Sequence, residues 1–172
     1  RHWTHFMSID WGTARPFSIG WYTVSEGAEL AAKDGWPAKW LPVDSVIRYR
    51  EWYGWSGKEN DGCRLDSSAV ARKILRIEHD ANDPPMDFRV GDSQMWAQTD
   101  GPTVAERFND AGVSLSPSKK DRKAGYAEMR SRLAGSPTYL HDNQEGEAPM
   151  LYIAANCGHF WRTIPSLVLD ET

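Results

Sequence analysis

The sequence predicts an α/β fold: one mixed central sheet, three antiparallel strands first and then alternating helices and strands, with helices on both faces. Three observations predict it. Residues 5 to 55 hold three β-prone apolar runs, the spacing of apolar residues turns helical after Asp66, and short apolar runs then interrupt the helical stretches.

HFMSIDW (5 to 11) and FSIGWYTVS (17 to 25) are apolar and separated by the turn from Gly12 to Pro16, which reads as a hairpin. SVIRYREWYGW (45 to 55) sets Val46, Arg48, Arg50 and Trp52 against Ile47, Tyr49, Glu51 and Tyr53, a third strand partly covered on both sides. Residues 27 to 44, with Pro37 and Pro42, read as a loop or excursion. Asp66 suits an N-cap, and Val70, Ile74 and Ile77 recur at i, i+4 and i+7, an amphipathic helix that ends before Asn82-Asp83-Pro84-Pro85. MDFRV (86 to 90) is a short strand that delivers Gly91-Asp92. A second helix starts at Pro102, sets Val104, Phe108 and Ala111 on one face, and stops at Gly112; a short strand at 113 to 115 follows. Tyr126, Met129 and Leu133 set the register of a third helix with Gly135 past its end. Tyr139-Leu140 and Met150 to Ala154 are expected to pair as a hairpin, before a short terminal helix. This order, β-β-β-α-β-α-β-α, is the one found in the RNase H-like fold.

A chain of 172 residues, 40% hydrophobic and 26% charged, suits one globular domain with a core of its own. No apolar run approaches the roughly 20 residues that span a bilayer, and RHWTHF lacks the apolar centre of a signal peptide, so a soluble protein without membrane contact is expected. It starts at Arg1, which suggests a piece of something longer. Two cysteines, Cys63 and Cys157, make no disulfide scaffold and read as reduced cytosolic thiols; Cys157-Gly-His159 has no second ligand pair to complete a zinc site. Net charge is −4, against indiscriminate coating of nucleic acid, yet residues 117 to 133 carry a local +4 within a remainder of −8. One face is therefore suited to polyanions.

Asp10 and Asp92 each close an apolar strand, and a β-α-β crossover can place those two strands side by side. Two neighbouring carboxylates repel unless a cation sits between them, and hard ions such as Mg²⁺ are held by one or two carboxylates plus waters and phosphate oxygens. Each acid taken singly is also an ordinary turn residue or helix cap.

Four segments carry a family resemblance: HFMSIDWGTARPFSIGWY, FRVGDSQMW, the Lys-rich SPSKKDRKAGYAEMRSRL, and LYIAANCGHFWRTIPSLVLDE. In this order they resemble the nuclease domain of the large terminase subunit of tailed bacteriophages. Asp10, Gly12, Pro16 and Trp21 match the first motif, Asp92 the second, Lys119 to Arg132 the basic segment, and Cys157, Arg162-Thr163, Pro165 and Asp170 the last block. The resemblance implies a Mg²⁺- or Mn²⁺-dependent endonuclease that cuts concatemeric double-stranded viral DNA during genome packaging, in the cytoplasm of a bacterial host. It implies Asp10 and Asp92 as catalytic metal ligands, two ions in the complete site, and Lys119, Lys120, Arg122 and Lys123 as DNA-binding residues. It further implies an ATPase domain in the full-length protein, with the small terminase subunit and the portal as partners. The family's third metal-binding acid is expected beyond Thr172, and Asp170 and Glu171 match the preceding block rather than that ligand. The whole of 1–172 then reads as the nuclease part alone, because no segment resembles a Walker A loop.

Three rival readings differ in class. Ile9-Asp10-Trp11-Gly12-Thr13 resembles the phosphate loop of actin-like ATPases and sugar kinases, but those need a second Gly-rich loop, and this sequence has no Gly-Gly pair. An RNase H-like resolvase or transposase would share Asp10 and Asp92 but not the last block. A non-catalytic aromatic-rich binding module rests on the nine tryptophans, Trp36, Trp40, Trp52 and Trp55 among them, which more often cover a sheet face than stack ligands.

Overall fold

The computed structural model describes residues 3–31, 39–98, 100–119, 121–139 and 145–164, apart from the side chains of Lys39, Arg122, 136–139 and 145–147. A six-stranded sheet forms the centre, in the order β5-β4-β1-β2-β3-β8. Strands β1 (Thr4–Asp10), β2 (Ser18–Leu30) and β3 (Lys39–Tyr53) run antiparallel, and β4 (Phe88–Gly91), β5 (Ser116–Pro117) and β8 (Leu151–Ile153) add to the edges in parallel pairs. The expected RNase H-like mixed α/β architecture is the one observed.

Helix α1 (Ser67–Asp80) starts where Asp66 accepts from the amides of Ser68 and Ala69, and its apolar stripe buries Val70, Ala71 and Ile74. Helix α2 (Val104–Asp110) opens with a capping box, Thr103 and Glu106 each accepting from the other's backbone amide. Both helices pack on one face of the sheet, where Met7, Ile9, Ile19 and Trp21 meet Ile74 and Phe108 in a single core. Helix α4 (Gly158–Thr163) lies on the other face, because its first amides bond to Glu51, whose cross-strand partner Gly20 sits between the core residues Ile19 and Trp21.

Four expectations are corrected. Residues 27–44 are not simply a loop: β2 and β3 stay paired out to Leu30↔Lys39. Pro42 is tolerated because β8 pairs only with Val46 to Arg48, which leaves β3 an edge strand there. The strand expected at 113–115 falls at Ser116–Pro117, since Val113 is used as a buried core anchor after α2. The expected late hairpin is split: β6 (Ser136–Tyr139) pairs with β7 (Glu145–Ala148), while β8 joins β3 on the main sheet. The partner expected at Leu140 lies outside the described residues. Helix α3 (Arg122–Ala134) forms as expected, but its apolar register faces solvent, with Tyr126, Met129 and Leu133 at 67%, 39% and 57% exposure.

Regular alternation in β3 fails twice, between Val43 and Val46 and again at Tyr49, and the second failure matters. The register with β2 steps from Trp21↔Arg50 to Tyr22↔Arg48, so Tyr49 is an extra, bulged residue. An i, i+3 pair in a regular strand faces opposite ways; across the bulge, Arg48 and Glu51 share a face and form an ion pair at 3.2 Å. Among the described residues no helix is long and apolar enough to cross a membrane.

Candidate metal and nucleic-acid site

Strands β1 and β4 are adjacent and parallel, with Ile9 opposite Gly91, and the ladder continues one step further because the Asp92 amide donates to the Ile9 carbonyl at 3.0 Å. Asp10 and Asp92 therefore leave neighbouring strand ends side by side, roughly one strand spacing of 4.8 Å apart in their backbones. Both line a cleft of about 490 Å³ with Ser8, Gln94 and Ser118, at the carboxyl ends of β1, β4 and β5. Ligand crevices in parallel α/β sheets form at such ends.

The two acids are held differently. Asp92 caps a short 3₁₀ turn, Ser93–Trp96, by accepting the Gln94 amide on Oδ1 at 3.2 Å, so its carboxylate direction is fixed by backbone. Asp10 precedes a turn that needs glycine: a Cβ on Gly12 would stand 2.5 Å from the Arg15 carbonyl oxygen. Trp11 stacks on Phe17 and meets Phe108 edge-on, which pins that turn to the core. Gly12 thus serves a tight turn beside an acid. Partial burial first, and the negative charge of Asp92 second, raise the Asp10 pKa above the usual carboxylate range. A cation between the two would relieve that repulsion, and a pair of carboxylates in an open cleft is a donor set suited to Mg²⁺ or Mn²⁺ with water completing the shell. Among the described residues no group of three or more His, Cys, Asp or Glu side chains comes together.

The basic segment begins at the rim of this cleft. The Ser118 amide donates to the Gly91 carbonyl at 2.9 Å, Ser118 lines the cleft, and Lys119 follows, exposed. Asp121 caps α3 through the Ala124 amide, and Lys123 is exposed in its first turn. Lys120, the Arg122 side chain, Asp170 and Glu171 lie outside the described residues, as does Trp36. Trp52 packs edge-on against Phe17 at the core with the Lys73 ammonium over its ring, so it covers the sheet. Cys63 and Cys157 are free thiols.

No protein-family profile matches the sequence, and no curated protein matches it. Solved structures do match. The large terminase of a thermophilic bacteriophage, in complex with ADP, aligns with a TM-score of 0.63 over 99% of this chain and 33% of that one, at 16% identity. A second crystal form of that thermophilic phage enzyme aligns with a TM-score of 0.58 over 94% of this chain and 31% of that one, at 15% identity. The P22 large terminase nuclease domain aligns with a TM-score of 0.54 over 94% of this chain and 66% of that one, at 11% identity. The fold is that of a large-terminase nuclease domain. The chain spans about a third of the length of the thermophilic phage's large terminase.

The basic rim was legible as a charge cluster. The Arg48–Glu51 pair and the seat of α4 were missed, and their only signal in the sequence was two opposite charges at odd spacing inside a strand.

Proposed function

We propose that this chain is a divalent-metal-dependent DNA endonuclease of the large-terminase type, acting on concatemeric double-stranded DNA during phage genome packaging. The observation that carries the reading is the meeting of Asp10 and Asp92 at adjacent parallel strand ends, in one cleft, within a terminase nuclease fold. Asp10 and Asp92 hold Mg²⁺ or Mn²⁺ through their carboxylates. Such an ion, when bound, lowers the pKa of water and neutralises charge on phosphoryl oxygens. The Asp92 cap keeps one ligand rigid, and the pinned turn after Asp10 keeps the other in reach. In the hydrolysis a water oxygen forms a new bond to phosphorus and gives up a proton, while the bond to one deoxyribose oxygen breaks and that oxygen is protonated, leaving a phosphate monoester and a hydroxyl. A second ion would need donors beyond these two carboxylates.

Lys119 and Lys123, with Lys120 and Arg122 of the same segment, neutralise duplex phosphates, which lets a chain of net charge −4 hold DNA. Such contacts carry no base information, so sequence preference is weak. In the packaging assembly the partners are an ATPase domain, the small terminase subunit and the portal, in the host cytoplasm.

The test is nicking of supercoiled plasmid in Mn²⁺ without ATP. Wild-type chain nicks, while Asp10→Asn and Asp92→Asn, which keep shape but lose charge, fall by orders of magnitude with unchanged folding. Full activity in both variants overturns the assignment, and cleavage confined to branched junctions transfers it to a resolvase.

A further inference from the structure

A second cluster stands on the same face and at the same end of the sheet as the acids. Asp10 is opposite Ser18, and Ser18 is opposite Tyr53, so Tyr53 lies two strand spacings, about 10 Å, from Asp10. The His159 ring sits 5.0 Å from Tyr53 and 5.8 Å from Trp55. The Arg162 guanidinium lies 4.8 Å over Trp55 and 5.9 Å from Tyr53, and its Nη2 is 3.5 Å from His159 Nδ1. Arg162 is exposed, and no described carboxylate pairs with it, whereas Arg48, Arg50 and Arg89 in the sheet each hold one.

The cluster is rigidly seated. Glu51, itself paired with Arg48, accepts the amides of His159 and Phe160 and fixes α4 on the sheet. The bulge at Tyr49 turns Glu51 and Tyr53 toward that face together. A guanidinium held over an aromatic ring still has N–H donors to offer, and its planar fork matches a phosphate. The His159 imidazole and the Arg162 guanidinium both pack against the Tyr53 and Trp55 rings. A cation here also offsets the repulsion that the two acids exert on a polyanion crossing the same face.

We propose that Arg162, braced by Trp55, Tyr53 and His159, grips a backbone phosphate of DNA flanking the phosphate that lies over Asp10 and Asp92. This rests on the nuclease reading above and adds a register for the strand: one fixed contact beside the cut, on the side of β3.

The test is fluorescence polarisation of the intact chain with a labelled duplex, without divalent ions, across a salt series. Arg162→Ala weakens binding about fivefold to tenfold and lowers the salt slope by about one phosphate. Arg162→Lys keeps the slope but recovers only part of the affinity, because a lysine lacks the stacked fork. Neutral methylphosphonates spread along one strand then weaken wild type more than Arg162→Ala, which has one phosphate contact fewer to lose. Melting curves of both variants match wild type, since the side chain is exposed. If wild type binds and nicks while Arg162→Ala shows the same affinity, slope and methylphosphonate pattern, the clamp is wrong and the nuclease reading stands. If wild type neither binds duplex in a salt-dependent way nor nicks, both fall.

Discussion

The two faces of the central sheet are made of alternate residues of the same strands, yet they carry opposite tasks. On one face Met7, Ile9, Ile19 and Trp21 are closed off under α1 and α2. On the other, Ser8 and Asp10 open into the cleft, and Arg48, Glu51 and Tyr53 build the seat of α4. Neighbours in β1 thus belong to different systems: Ile9 is buried in the core and Asp10 stands in the cleft where the proposed chemistry would occur. Point substitutions should separate the two, and any that fails to do so marks a residue serving both.

The largest effect is expected at the cleft. Asp10→Asn and Asp92→Asn lose nicking by orders of magnitude while circular dichroism and melting show an intact fold. On the covered face, Ile74→Ala leaves a void in the core and costs about 2–5 kcal/mol of stability in urea unfolding, with nicking by the folded fraction unchanged. Glu51→Ala couples the two systems. Its side chain and that of Arg48 are only 5% and 10% exposed, so the loss strands a buried guanidinium, costs about 3–5 kcal/mol, and unseats α4. A smaller effect is expected at the rim, where Lys119→Ala with Lys123→Ala flattens the salt dependence of duplex binding by about two phosphates without altering the melting temperature.

The smallest effect is a pH dependence. The folded chain holds the Asp10 proton more tightly than the unfolded chain, so the stability linked to this group is full below the ordinary carboxylate range and is lost as pH rises through the raised folded value. Asp10→Asn removes that loss. Its melting temperature should exceed wild type at neutral pH, and the two should converge near about pH 3.

Much of this was legible in the sequence for local reasons. The helical period of Val70, Ile74 and Ile77, with Asp66 before it, marks α1, and the crossover rule brings Asp10 beside Asp92. What escaped depended on partners far along the chain. The extension of β2 and β3 through Pro42 depends on which edge of β3 lacks a neighbour, and the placement of β8 on β3 is a long-range pairing. The bulge at Tyr49 is a register adjustment with no signature in alternation, yet it decides which face Arg48 takes relative to Glu51 and Tyr53. Tyr126, Met129 and Leu133 show the reverse error: helical spacing alone does not say that a neighbour covers the stripe.

The central claim is that Asp10 and Asp92 act together as one hard-cation site. Manganese titration followed by electron paramagnetic resonance tests it most directly, on wild type, Asp10→Asn and Asp92→Asn. Wild type should bind weakly with water-rich coordination, and each single variant should lose that signal in parallel with the loss of nicking. Retained manganese binding and nicking in both variants would contradict it.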